Sequence, residues 1–156
     1  MKDSSLRALA TVQQDPVYHP EGDVLAHTLQ VWGAARRIAA REGLHGAARK
    51  TLLWAALLHD YGKLHHTQVA EGGRVTNHGH AEASADLAWA LLFRYGVGWQ
   101  CWAGVVVLCA QHMNARDLDR YSARGLRRLD RKLAEAGVDR ALLLLLVEAD
   151  RAGRVA

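Results

Sequence analysis

Apolar residues along this chain recur at intervals of three and four, and nowhere alternate singly over the length of a strand. That period belongs to helices with one buried face, and it predicts an all-α fold. A short first helix over Ser4–Gln13 is broken by Asp15-Pro16 and His19-Pro20, because the residue before a proline is driven out of the helical region. Asp23 is placed to cap a helix running to about Arg41, which Gly43 ends. The next helix covers Ala47–His59. From Gly62 to Gly79 the chain is polar and reads as a loop, with Gly72-Gly73 at a tight turn. Helices follow over His80–Tyr95, Trp99–His112, Ala123–Ala136 and Arg140–Ala152, the last capped by Asp139. The expectation is one compact bundle of about six to seven helices, a single domain over residues 1–156.

Polar residues stand where several apolar stripes should continue. His27 lies amid Val24, Thr28, Val31, Ala35 and Ile38. Leu53, Ala56 and Leu57 lead to Asp60, with His59 beside it. His80 heads the stripe of Ala83, Ser84, Leu87 and Leu91. His112 ends that of Val105, Leu108 and Cys109, and Asp150 that of Leu143, Leu146 and Val147. A single histidine on such a face is more often a hydrogen-bonded core residue than a ligand, and a lone His-Asp pair means little. Three to five helices each turning His or Asp inward are a different matter. Buried carboxylates are costly unless paired or bound to a metal, and imidazole and carboxylate are the donors of Zn²⁺, Mn²⁺, Fe and Ni²⁺ sites.

Composition narrows the setting. The net charge of +4 suits a phosphate-bearing partner. No apolar run approaches the twenty or so residues of a membrane span, and the N-terminal stretch lacks a signal peptide's pattern, so the expected location is the cytoplasm. Cys101 and Cys109 fall on one helix about 12 Å apart, too far for a disulfide, and read as small buried residues.

The local contexts carry a resemblance. YHPEGDVLAHT (Tyr18–Thr28), LLHDYGK (Leu57–Lys63), NHGHAEAS (Asn77–Ser84), CAQHMN (Cys109–Asn114) and VEADRAGR (Val147–Arg154) occur in this order. Together they resemble the H…HD…D pattern of HD-domain metal-dependent phosphohydrolases. They are similar both to the HD domain of bacterial CCA-adding tRNA nucleotidyltransferases and to the HD phosphoesterase half of bacterial enzymes that fuse it to a polynucleotide kinase. The chain has no nucleotidyltransferase head and no GxxxxGK[ST] phosphate loop, which leaves a stand-alone HD domain or one cut from a larger protein.

The resemblance implies that His27, His59, Asp60 and Asp150 bind a divalent metal: Mn, Ni, Co, Fe or Zn, with Mg as an alternative. Such an ion polarises a phosphoryl oxygen and activates water. Lys63 and Arg154 are expected to face phosphate, and Asp60, Lys63, His80 and His112 to take part in catalysis. His80 and His112 either hold a second ion or contact phosphate and the leaving group; His78 is a weaker candidate. Glu21 is expected to orient a ligand histidine from behind, while capping accounts for Asp23. His19, His45, His65 and His66 fall in loops and are assigned no role.

The implied substrates are 2′,3′-cyclic, 2′- or 3′-phosphates on nucleotides or RNA ends, with a kinase or ligase as fused or functional partner. The alternatives are a 5′-nucleotidase or other small phosphomonoesterase, and a non-catalytic nucleotide-sensing or scaffolding module. Arg116, Arg120, Arg124, Arg127, Arg128 and Arg131 form a basic run that could meet an RNA backbone. Asp117, Asp119 and Asp130 interrupt it, and an ordinary solvated face is the plainer reading. No aromatic stacking platform is evident, and the five tryptophans are expected mostly in the core.

Overall fold

A computed structural model of the chain describes residues 4–154; residues 1–3 and 155–156 of the expected domain lie outside the described residues. Eight α-helices are described: α1 Ser4–Ala8, α2 Val24–Arg41, α3 Gly46–Leu58, α4 Lys63–His66, α5 His80–Arg94, α6 Trp102–Gln111, α7 Ala123–Glu135 and α8 Arg140–Ala152. The long helices start where their caps predict. The Asp23 carboxylate accepts from the Ala26 amide, that of Asp139 from Leu142, and the Ser122 hydroxyl from Gly125. Each satisfies one of the orphan donors of a first turn.

Three expectations are corrected. The first helix is α-helical only to Ala8 and continues as a 3₁₀ turn over Leu9–Thr11, after which Val12 turns extended toward the Pro16 break. The expected Trp99–His112 helix opens as a 3₁₀ turn, Trp99–Cys101, ahead of α6. The loop between Gly62 and Gly79 holds α4 and a minimal antiparallel hairpin, Gln68–Val69 with Val75–Thr76. Two-residue strands are too short to show a period.

α3 is the central helix, packed against α2, α6 and α8, while α5 lies along α6. Small side chains permit this crowding: Ala34, Ala35 and Ala39 in α2, Ala55 and Ala56 in α3, and Ala85 and Ala88 in α5 are all buried. Leu52, Leu58, Leu92, Leu108, Leu143 and Leu146 fill the space between, each worth about 2 kcal/mol of apolar burial. Because the C-terminal part of α3, from Thr51 to Leu58, is enclosed, whatever leaves its C-terminus enters the middle of the bundle.

Two glycines set the closest approaches there. A methyl group at Gly62 would overlap the His80 carbonyl oxygen and sit 2.7 Å from the Ser84 nitrogen. One at Gly153 would lie 3.0 Å from the Val31 nitrogen. Gly62 thereby seats the turn after Asp60 against α5, and Gly153 seats the end of α8 against α2.

The tryptophans are less buried than expected. None of the five is fully buried, and Trp89 and Trp99 are 49% and 76% exposed. Trp54 and Trp102 pack against the edge of the alanine and leucine core. Both cysteines are buried and free, as expected. Among the described residues no helix is long and apolar enough to cross a membrane.

Candidate metal centre

Five elements deliver polar side chains to one buried point. His27 projects from the first turns of α2, on the same buried face as Val24, Thr28 and Val31. His59 and Asp60 follow α3, His80 opens α5, His112 follows α6, and Asp150 lies in the last turns of α8. His27, His59, Asp60, His112 and Asp150 are no more than 3% exposed, and His80 is 7% exposed.

Asp60 lies at the middle. Its Oδ2 is 3.6 Å from His27 Nε2 and 3.4 Å from His59 Nε2. Its Oδ1 is 3.2 Å from His80 Nε2 and 3.8 Å from His112 Nε2. Asp150 Oδ1 closes the first group, 3.1 Å from His27 Nε2 and 3.9 Å from His59 Nε2. The cluster has two adjoining halves, His27–His59–Asp60–Asp150 and Asp60–His80–His112, that share one carboxylate.

Position at a helix end also fixes each ring. His59 Nδ1 lies 3.0 Å from the Ala56 carbonyl and His112 Nδ1 2.7 Å from that of Cys109, both carbonyls in a last helical turn that lacks backbone partners. His80 Nδ1 lies 2.6 Å from the Asn77 carbonyl. A carbonyl only accepts, so Nδ1 carries the proton and Nε2 keeps a bare lone pair. Those three Nε2 atoms are buried and have no hydrogen-bond partner; what they face is carboxylate oxygen. Lone pair against anion is repulsive unless a cation lies between them, and neutral imidazole with carboxylate is a divalent-metal donor set. The residues present therefore fit a metal.

Burial holds His59 below the ordinary imidazole range, and burial with the neighbouring His59 takes His112 down to about 3. For Asp60 burial acts upward, but Lys63 and the surrounding imidazoles outweigh it and hold the carboxyl well below its usual value. For Asp150 the same upward push is outweighed by the His27 hydrogen bond, His59 and Arg116. The site thus pairs the neutral rings of His59 and His112 with the ionised carboxylates of Asp60 and Asp150.

The expected supporting residues take definite places. Lys63 is buried, its Nζ 2.7 Å from Asp60 Oδ2 and donating to Gln14 Oε1 at 2.8 Å. Glu21 Oε1 lies 2.6 Å from His27 Nδ1, placing its carboxylate behind that ring. Arg154 Nη2 donates to Asp150 Oδ2 at 3.2 Å. His78 is exposed on the rim of a cleft of about 580 Å³ that opens over the cluster, lined also by Tyr18, His19, Lys63, Arg74, His80 and Arg116.

Sequence reasoning missed three participants. Arg116, placed with the basic run, turns inward and donates to Asp150 Oδ2. Its position follows from the 3₁₀ segment Asn114–Arg120, which the periodicity did not show. His19, set aside as a loop histidine, packs edge-on against His27 with ring centroids 4.8 Å apart, its Nδ1 2.8 Å from Glu21 Oε1. Burial and the Lys63 charge lower its pKa to about 4. Gln14 is buried against Lys63. The HPE triplet around His19 was the available signal for that residue; nothing local marked Gln14 or Arg116. Tyr18, 66% exposed at the cleft mouth, also supplies an aromatic ring where no platform was expected. His45 and His65 are exposed and outside the cluster, and His66 Nδ1 donates to the His78 carbonyl at 2.9 Å.

A helical bundle enclosing a His/Asp cluster with bare imidazole lone pairs defines a metal-binding helical domain. The family model described as HD domain matches residues 24–148, and the chain belongs to that family, whose members are mostly metal-dependent hydrolases. The match takes in His27, His59, Asp60, His80 and His112 and stops before Asp150. The chain is also similar to a multifunctional CCA protein of Thioalkalivibrio sulfidiphilus, 38% identical over 92 residues. That similarity covers 59% of this chain and 20% of the relative, so the chain corresponds to about a fifth of that protein's length. No solved structure gives a significant match.

Proposed function

We propose that the chain is a divalent-metal-dependent phosphohydrolase acting on nucleotides or RNA ends, with 2′,3′-cyclic phosphates and 2′- or 3′-phosphomonoesters as substrates. One observation carries the hydrolase reading: the buried Nε2 lone pairs of His59, His80 and His112 converge on an ionised Asp60 with no donor between them. His27, His59, Asp60 and Asp150 would hold one ion. His80 and His112, with the other oxygen of Asp60, would hold a second. Mn²⁺, Co²⁺, Ni²⁺, Fe or Zn²⁺ suits these donors, and Mg²⁺ is a poorer match. A bound ion supplies Lewis acidity, polarising a phosphoryl oxygen and lowering the pKa of water.

The chain's own residues do the rest. Lys63 keeps Asp60 ionised and presents its ammonium to the cleft. Arg116 and Arg154 engage Asp150 mainly through Oδ2, leaving Oδ1 directed at His27, and add positive charge where a phosphoryl group loses its own hydration. Glu21 Oε1, 2.6 Å from His27 Nδ1, would orient that ring from behind toward the ion. The substrate class is supported by the order of the five motifs, shared with HD domains of RNA-processing enzymes. A kinase or ligase working on the same ends would be the functional partner.

Cyclic, 2′-, 3′- and 5′-phosphorylated nucleotides assayed with each metal should show phosphate release with Mn²⁺, Co²⁺ or Ni²⁺, greatest for the 2′,3′ class. Preference for 5′-nucleotides would make it a 5′-nucleotidase instead. No release from any substrate would favour a non-catalytic nucleotide-sensing or scaffolding module.

A further inference from the structure

The basic run divides in two. Arg116 belongs to the metal centre, whereas Arg124, Arg127, Arg128 and Arg131 stand exposed on α7. Their spacing of three, four and seven puts them on one face, over about 10 Å of helix axis. None of the four makes an ion pair or side-chain hydrogen bond among the described residues. The acid nearest them in sequence, Asp130, is already held by Arg140 at 3.3 Å. The four arginines line a surface groove of about 430 Å³ with Ser122 and Gly125.

The chain places this groove. α7 touches both α6 and α8, and residues 136–139 join it to α8. α8 reaches the metal centre in its last turns, at Asp150. The first turn of α7 starts close to the metal centre, because only six residues along the chain separate its Ser122 cap from Arg116, which binds Asp150. The 3₁₀ segment Asn114–Arg120 leads directly from Arg116 in the cleft to the Ser122 cap of α7.

We infer that the α7 arginine face binds the phosphodiester backbone of the polynucleotide strand whose phosphorylated end enters the cleft. This rests on the hydrolase reading above for the strand's end, and makes the substrate a polymer end rather than a free nucleotide. Guanidinium forks suit phosphate oxygens. A membrane surface is the poorer fit, because insertion draws on apolar residues beside the charges, and Leu129 and Leu133 of α7 are buried in the core.

The test measures binding of a fluorescent oligouridylate with a 3′-phosphate to the full chain across a salt series, together with turnover of uridine 3′-phosphate. Each phosphate contact on a single strand contributes about −0.7 to the slope of log K against log salt, so replacing both Arg127 and Arg128 by Ala should flatten the slope by about 1.4. Binding should weaken, while turnover of the mononucleotide stays unchanged. The charge-retaining pair Arg127→Lys and Arg128→Lys should keep the wild-type slope, which separates lost charge from lost folding. An unchanged slope in the alanine variant overturns the inference, as does binding to phosphatidylserine vesicles with none to the oligonucleotide. Because binding is read without turnover, a chain that binds through these arginines but releases no phosphate would overturn the hydrolase reading and leave the surface standing.

Discussion

Asp60→Asn is expected to lower metal-dependent phosphate release by about a thousandfold or more, on the order of 4 kcal/mol of barrier. Asp60 touches both halves of the cluster and has Lys63 Nζ at 2.7 Å. The amide is nearly isosteric but uncharged, and it turns one oxygen into a donor. It therefore weakens both ion sites at once, which loss of any single histidine does not. A second effect is on stability. Lys63 is 4% exposed, and removing its carboxylate leaves a buried ammonium with only the Gln14 oxygen, a loss of about 3–5 kcal/mol. Adding Lys63→Met should restore much of the melting temperature without restoring activity. Substantial activity in Asp60→Asn would show that the carboxylate is not shared by the reacting centre.

Gly62→Ala should be the most damaging substitution that replaces no proposed ligand. Its Cβ would meet backbone, the His80 carbonyl oxygen and the Ser84 nitrogen, and neither can rotate away. Gly62 also donates its amide to Ser84 Oγ at 2.8 Å, so the turn cannot simply lift off α5. Overpacking of this kind costs about 1–3 kcal/mol or more, a fall in Tm on the order of 5–10 °C for a chain of this size. The strain falls between Asp60 and His80, and a shift of about 1 Å there can cost on the order of a hundredfold in rate. Thermal melting and phosphate release measured together check both effects; wild-type values for both would mean the contact is looser than described.

Much of this was readable from the chain. Helical periodicity and the caps Asp23 and Asp139 placed the long helices, and the same periodicity turned His27, His59, Asp60, His80, His112 and Asp150 inward. What it could not carry is which loop crosses which helix end. Arg116, His19 and Gln14 enter the site from segments without a period, placed by packing around the end of α3. Full burial of the tryptophans failed for a related reason: helical spacing shows that an indole lies near an apolar face, but not how far the neighbouring helices cover it. The two-residue hairpin lies below the length at which alternation is visible.

An ion on each side of Asp60 is the expectation on which the proposed chemistry depends most. Metal analysis of the chain saturated with Mn²⁺, together with anomalous scattering from crystals of that protein, tests this directly. The prediction is two ions per chain, one among His27, His59, Asp60 and Asp150 and the other among Asp60, His80 and His112. A single ion would contradict the shared-carboxylate arrangement, and none would contradict the metal centre itself.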